Sequence, residues 1–171
     1  MIINRYTNIN KCDNYFDNII IKEKFDKIIS LYKNPIILNP FSNNNILANF
    51  TNDLDYTINS NCHMEALDFL KLFNDNSVDI VLFDPPCDPG NMKFYFEKLN
   101  LKIDMTYTRT EYWSKLKKEV SRILKSGGYA INIGYSSGGI GKNNGFNIEE
   151  ILILNHNSFD RDVFCVVDKK L

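Results

Sequence analysis

The segment that most constrains this chain is Val78-Asp79-Ile80-Val81-Leu82-Phe83, followed at once by Asp84-Pro85-Pro86. Five of its six residues are apolar and two are valines, and the run is too short for a helix. It reads as a strand buried on both faces, the pattern of a central strand in a parallel sheet. Proline has no amide hydrogen to give a ladder and holds φ near −65°, so the strand must end where the prolines begin. The sequence thus places an acid on a rigid turn at the carboxyl end of a buried strand. In open α/β sheets that is where ligands bind.

The flanking segments supply the rest of such a sheet. Asp13 to Tyr32 carries apolar residues at Phe16, Ile19, Ile20, Phe25, Ile28, Ile29 and Tyr32, near helical spacing, and Asn34-Pro35 stops it. Pro35 to Leu38 reads as a short buried strand running into Asn39-Pro40, and Ile46 to Phe50 as a second strand. Glu65 to Phe73 is helical. Residues 87 to 108 look long and irregular, with one helical turn around Met92 to Leu99. Thr110 to Lys125 repeats apolar residues at helical spacing (Trp113, Leu116, Val120, Ile123, Leu124), with Thr108 or Thr110 as its cap, Gly127-Gly128 as its stop and Trp113 in its core face. Tyr129 to Gly134 is a strand, Ser136 to Gly145 a flexible loop, and Ile148–Leu154 with Val163–Val167 a closing hairpin. Strands alternating with helices until a final strand pair predict one α/β domain over residues 1–171. Its sheet should be mostly parallel, with an antiparallel C-terminal hairpin.

A hydrophobic share of 44% and a charged share of 24% suit a globular domain of 171 residues with its own core. No apolar run is long enough to span a membrane, and the first residues do not read as a signal peptide, so the expectation is an intracellular protein with no membrane partner. Cys12, Cys62, Cys87 and Cys165 are scattered without a metal-ligand spacing, so no metal is expected. Charge is unevenly spread. Residues 35–87 hold one lysine against seven acids, whereas residues 88–125 hold nine basic residues against five acids. An acidic half suited to a cationic cofactor therefore adjoins a basic segment suited to phosphates. The abundance of asparagine reads as a coding bias, and as a physical signal only at turns.

Chemistry concentrates on Asp84-Pro85-Pro86-Cys87. A carboxylate and a backbone carbonyl fixed by two prolines can together accept both hydrogens of one amino group. Drawing an amino nitrogen toward tetrahedral geometry frees a lone pair otherwise delocalised into a ring. Cys87 has no basic neighbour to activate it and is not read as a nucleophile. Gly138 to Lys142 is not a phosphate loop, because Ser136 stands where its first glycine belongs and Asn143 where Ser or Thr should bind magnesium.

These residues resemble the amino-methyltransferases that modify adenine N6 or cytosine N4, whose motif is Asp-Pro-Pro followed by an aromatic. The stretches Asn39-Pro40-Phe41, Thr51 to Leu54, His63 to Leu70, Val81 to Pro86, Gly127-Gly128 and Gly139 to Leu152 are similar to small adenine-specific methylases carried by phages and other viruses. The resemblance implies a Rossmann-like class I methyltransferase fold and S-adenosylmethionine as cofactor. It implies that Asn39, Pro40 and Phe41, with Ser42 to Asn45, wrap the methionine part of that cofactor. Asp53, with Asp55 in reserve, would accept the ribose hydroxyls, and Glu65 would meet the adenine. Two departures stand out in that loop: Asn39 replaces an acid, and asparagines replace glycines in the turn. Cys87 also replaces the base-stacking aromatic, a role open to Phe94, Tyr95, Tyr107 or Trp113.

The implied substrate is DNA adenine, flipped or single-stranded, with recognition falling to residues 88–112 or to a second subunit, another copy or a partner. The alternatives are RNA adenine or cytosine N4, and a methyltransferase fold without turnover that binds nucleic acid or a partner.

Overall fold

The computed structural model describes residues 1–7, 9, 14–86, 89–102, 107, 109–156 and 161–171, residues 89–91 by their backbone alone. Cys87 and Thr108 lie outside these residues. Seven strands form one sheet: β1 (Ile2–Tyr6), β2 (Ile37–Asn39), β3 (Phe50–Thr51), β4 (Val78–Phe83), β5 (Leu124–Gly134), β6 (Phe146–Leu154) and β7 (Val163–Lys170). Their order is β1-β6-β7-β5-β4-β2-β3. Only β7 runs antiparallel, between β5 and β6, so the sheet is mostly parallel with the expected C-terminal hairpin.

Helix α1 (Ile19–Ile29) covers one face; α2 (Ala66–Lys71) and α4 (Thr110–Ile123) cover the other. All six residues of β4 are buried, and alternation sends Ile80 and Leu82 toward α1 while Val81 and Phe83 face α2 and α4. Each such side chain contributes roughly 1.5–3 kcal/mol on full burial. On α4, Leu116, Val120 and Ile123 are fully buried, as their spacing predicts. Because β3 and β4 flank β2, chain direction across the sheet reverses between β2 and β4, which opens a crevice at their carboxyl ends.

Several expectations are corrected. β1 is not among the elements that the sequence pattern predicts. The strand expected over Ile46 to Phe50 is the two-residue β3, because the preceding residues form the turn that enters it. The single turn near Met92 is a ten-residue helix, α3 (Pro89–Lys98). Neither expected threonine is shown capping α4: Arg109 occupies that position without a side-chain cap bond, and Thr110 is the first helical residue. Gly127-Gly128 does not stop the helix. α4 passes directly into β5 at Leu124, and the two glycines lie within that strand. Gly127 takes φ +79°, and a Cβ on Gly128 would lie 2.9 Å from the Asp79 carbonyl oxygen, so these positions serve the β4–β5 approach.

Candidate active site

The crevice is a cleft of about 370 Å³, lined from the carboxyl ends of four strands. Pro40 and Phe41 follow β2, Asn52 and Asp53 follow β3, Asp84-Pro85-Pro86 follow β4 and Tyr135 follows β5. That volume lies within the range of small-molecule sites.

Loop geometry around β2 and β3 is fixed by short polar side chains. Asn39 is fully buried; its Oδ1 accepts the Phe41 amide at 3.1 Å, its Nδ2 has no partner among the described residues, and the residue does not line the cleft. The turn beyond it holds Asn43 at φ +41° and Asn44 at φ +63°, the left-handed region that asparagine tolerates better than other non-glycine residues. Asp53 anchors this turn. Its Oδ2 accepts the Asn43 amide at 2.9 Å and its Oδ1 the Asp55 amide at 3.0 Å. Lone pairs remain on both oxygens, because a carboxylate accepts about four hydrogen bonds.

Asn52 is not singled out by the sequence. Buried at the end of β3, it donates to the Pro40 and Met64 carbonyls at 3.2 and 3.0 Å and accepts the Met64 amide at 3.1 Å. One amide thus ties together the loops after β2 and β3 and the segment leading into α2. Asp55, the reserve acid, is already committed. Thr57 bonds to it through hydroxyl and amide, and Lys98 of α3 pairs with it at 3.1 Å, holding its carboxyl down to about 2.

Glu65 lines the cleft but serves α2 first. Its Oε2 accepts the Leu67 and Asp68 amides at the first turn of that helix, and its Oε1 accepts the Tyr112 hydroxyl of α4. Burial and this carboxylate together push the Tyr112 phenol far up, so it stays protonated.

Asp84 is the opposite case: burial alone pushes its carboxyl up to about 7. Behind it Phe83 meets the Phe41 ring edge-on at 5.5 Å, and Pro85 is buried. Among the residues predicted as site residues, Pro40, Phe41, Asp53, Glu65, Asp84, Pro85 and Pro86 share this cleft, whereas Asn39 sits behind it.

Aromatic rings form much of the wall. Phe96, Tyr107, Tyr112 and Trp113 follow one another at centroid spacings of 5.0, 5.0 and 5.4 Å. Phe94 and Tyr95 of α3 also line the cleft and are exposed. Sequence reasoning misses Tyr15 and Tyr135. Tyr135 carries the Arg161 guanidinium 5.5 Å above its ring, and the Tyr15 hydroxyl lies 3.1 Å from His156 Nε2. No spacing rule marks either: Tyr15 opens a three-residue 3-10 helix ahead of α1, and Tyr135 lies in the irregular segment after β5. Trp113, expected in the core, packs against it but is only half-buried and also lines the cleft.

Among the described residues, no helix is long and apolar enough to cross a membrane. No protein-family model and no curated protein matches this sequence. Solved structures do match. TrmN from Thermus thermophilus superposes with a TM-score of 0.57 at 14% identity, over 89% of this chain and 48% of TrmN. The chain therefore spans about half the length of TrmN. yhhF from Escherichia coli, a candidate methyltransferase, superposes with a TM-score of 0.53 at 10% identity, over 88% of this chain and 84% of that one. The chain has the Rossmann-like fold of methyltransferases.

Proposed function

We propose that this chain transfers the methyl group of S-adenosylmethionine to an exocyclic amino group, with adenine N6 in DNA as the substrate. One observation carries the reading: a desolvated carboxyl, Asp84, is fixed by two prolines at the crevice of a methyltransferase fold, in the same cleft as Asp53.

The residues present fit the cofactor. Asp53 keeps acceptor capacity for ribose hydroxyls while bracing the Asn43-Asn44 turn, and Phe41, Ile58 and Met64 supply apolar wall for the adenosine. Glu65 holds the adenine-facing wall by tying α2 to Tyr112. With Asn39 turned away, the negative charge facing a cationic ligand comes from Asp53, Glu65 and Asp84. When bound, the cofactor supplies an electrophilic methyl group. Asp84 and the Pro85 carbonyl accept the amino hydrogens and orient the nitrogen, and the prolines hold both acceptors in place before substrate arrives. The nitrogen becomes cationic as it is methylated and must lose a proton. A carboxyl titrating at about 7 is matched to take it near neutral pH. Phe94, Tyr95, Tyr107 and Trp113 offer the stacking surface that Cys87 does not.

Titration calorimetry with S-adenosylmethionine and S-adenosylhomocysteine, on the native protein and on Asp53→Ala, tests the cofactor site. Methyl transfer to single-stranded DNA, duplex DNA and RNA, with Asp84→Ala as control, then tests the substrate. An absence of cofactor binding sinks the stand-alone enzyme. Binding without transfer to any nucleic acid favours the reading of a fold without turnover, for which the buried Asn39 speaks.

A further inference from the structure

A second groove, of about 410 Å³, lies beside the cleft and shares Trp113 with it. One wall is a single stripe of α4: Thr110, Trp113, Ser114 and Lys117, spaced i, i+3, i+4 and i+7 on one helix face. The other wall is the segment Ile140–Asn144, which carries Lys142 and Asn143. The groove therefore offers the Lys142 ammonium, two hydroxyls, amides and one aromatic ring, and among the described residues no carboxylate lines it; the Lys117 ammonium is already given to the Gly139 carbonyl.

This second wall, part of the Gly/Ser/Asn loop, is tied to the body of the fold by hydrogen bonds. Asp168, fully buried beneath it, accepts the Ile140 amide at 2.9 Å. Lys117 donates to the Gly139 carbonyl at 2.5 Å, Asn144 Nδ2 to the Ile140 carbonyl at 2.7 Å, and Ser121 Oγ to the Asn144 carbonyl at 2.7 Å. Gly139 is pressed so closely onto Asp168 that a Cβ would lie 2.1 Å from its carboxylate oxygen. Three of these bonds tie the wall to β7 and α4 and one closes it on itself, and the exposed Lys142 stands on it.

We infer that this groove binds the single-stranded nucleic acid segment next to the nucleotide held at Asp84. A base stacks on Trp113, and its phosphate meets Lys142 and the Thr110 and Ser114 hydroxyls. Stacking on an aromatic ring beside a positive track is how unpaired strands are held without sequence readout. Trp113 is shared because a strand leaving the cleft must cross it to enter the groove. Lys115 cannot serve equally, since it is paired with Glu111 at 2.7 Å. The inference rests on the proposed nucleic-acid substrate but not on methyl transfer.

Trp113 is the chain's only tryptophan, so its fluorescence reports this position alone. The experiment titrates the native protein, without cofactor, with adenine-containing 12-mers of single-stranded DNA, the same sequence as RNA, and the DNA duplex. Fluorescence and anisotropy are read together across a salt series, for the native protein, Lys142→Ala, and Lys33→Ala, an exposed lysine distant in sequence from both groove walls. The expected result is saturable quenching of Trp113 by at least one single-stranded oligomer and weaker quenching by duplex. Lys142→Ala should weaken binding about tenfold at low salt and lower the salt slope by about one, with Lys33→Ala unchanged. Whichever single strand quenches more identifies the sugar. Binding seen by anisotropy without quenching, equal losses in both lysine variants, or no single-strand binding would overturn the inference. Cofactor titration fails or succeeds independently: S-adenosylhomocysteine binding without strand binding leaves the methyltransferase reading standing and removes the groove.

Discussion

Replacing Asp84 by asparagine should make the protein more stable, and more so as pH rises. Burial holds this carboxyl at about 7 in the folded chain, against an ordinary value of 3.8. The folded state thus binds more protons than the unfolded state between those values. Stability contributed by the group is complete below pH 4 and is lost as pH rises through 7. At pH 5 the unfolded carboxyl is ionised and the folded one is not, a penalty of ~1.7 kcal/mol at about 1.36 kcal/mol per pKa unit. At pH 8 both are ionised and the penalty reaches ~4 kcal/mol. The Asp84→Asn variant escapes it at both pH values, because an amide does not ionise. The new amide must find partners of its own, but that contribution does not depend on pH. Urea unfolding of the native protein and Asp84→Asn at pH 5 and pH 8 therefore isolates the effect. The stability gain from the substitution should grow by about 2.5 kcal/mol between the two. Asp168, pushed up to about 6 by its burial, titrates in the same window but alike in both proteins. A gain that stays constant across that range would refute the claim that Asp84 is desolvated, and with it the proton-accepting role assigned to it.

Asp53→Ala removes the acceptor for two loop amides as well as the proposed ribose contact, and should weaken S-adenosylhomocysteine binding by roughly 10–100-fold, read by calorimetry. Gly139→Ala puts a methyl group into the Asp168 carboxylate at φ +53°, and should lower urea-unfolding stability by about 2–4 kcal/mol. Glu65→Ala strips the α2 cap, worth ~1 kcal/mol, and leaves the Tyr112 hydroxyl without its partner, at about 1–3 kcal/mol more; Glu65→Gln should recover most of both in the same assay.

Much of this architecture is legible in local pattern. β4 and the final hairpin follow from short β-rich apolar runs and the buried stripe of α4 from a period of 3.6, because each buries surface against neighbours that the same pattern implies. β1 is different. Ile2–Tyr6 pairs only with β6, Ile2 opposite Glu150, and sits at the sheet edge with Ile2 and Ile3 exposed. Neither alternation nor burial marks it, and a partner so distant in sequence leaves no local trace. α3 is blurred because Phe94 and Tyr95, exposed and turned to the cleft, fill the polar positions between Met92 and Phe96. In the site, acids at strand ends are readable as types, but their commitments are not. Only the fold brings Lys98 to Asp55, Tyr112 to Glu65 and three backbone groups to Asn52.

Asparagine shows how a compositional signal becomes a structural one. Asn34, Asn43, Asn44, Asn76 and Asn100 take positive φ, and no other non-glycine residue does so among those described. The left-handed region costs asparagine less than other side chains, because its short amide can bond locally. A chain rich in asparagine can therefore close tight turns where similar folds rely on glycine. In the cleft this has a further consequence. Asn43 and Asn44 carry side chains that glycine would lack: the Asn44 amide oxygen accepts the Asn59 amide at 3.1 Å, while the Asn43 backbone is held by Asp53 and by Asn14. The turn that departs most from the expected glycine pattern is thus braced from three separate segments of the chain, and it needs no glycine to hold its shape.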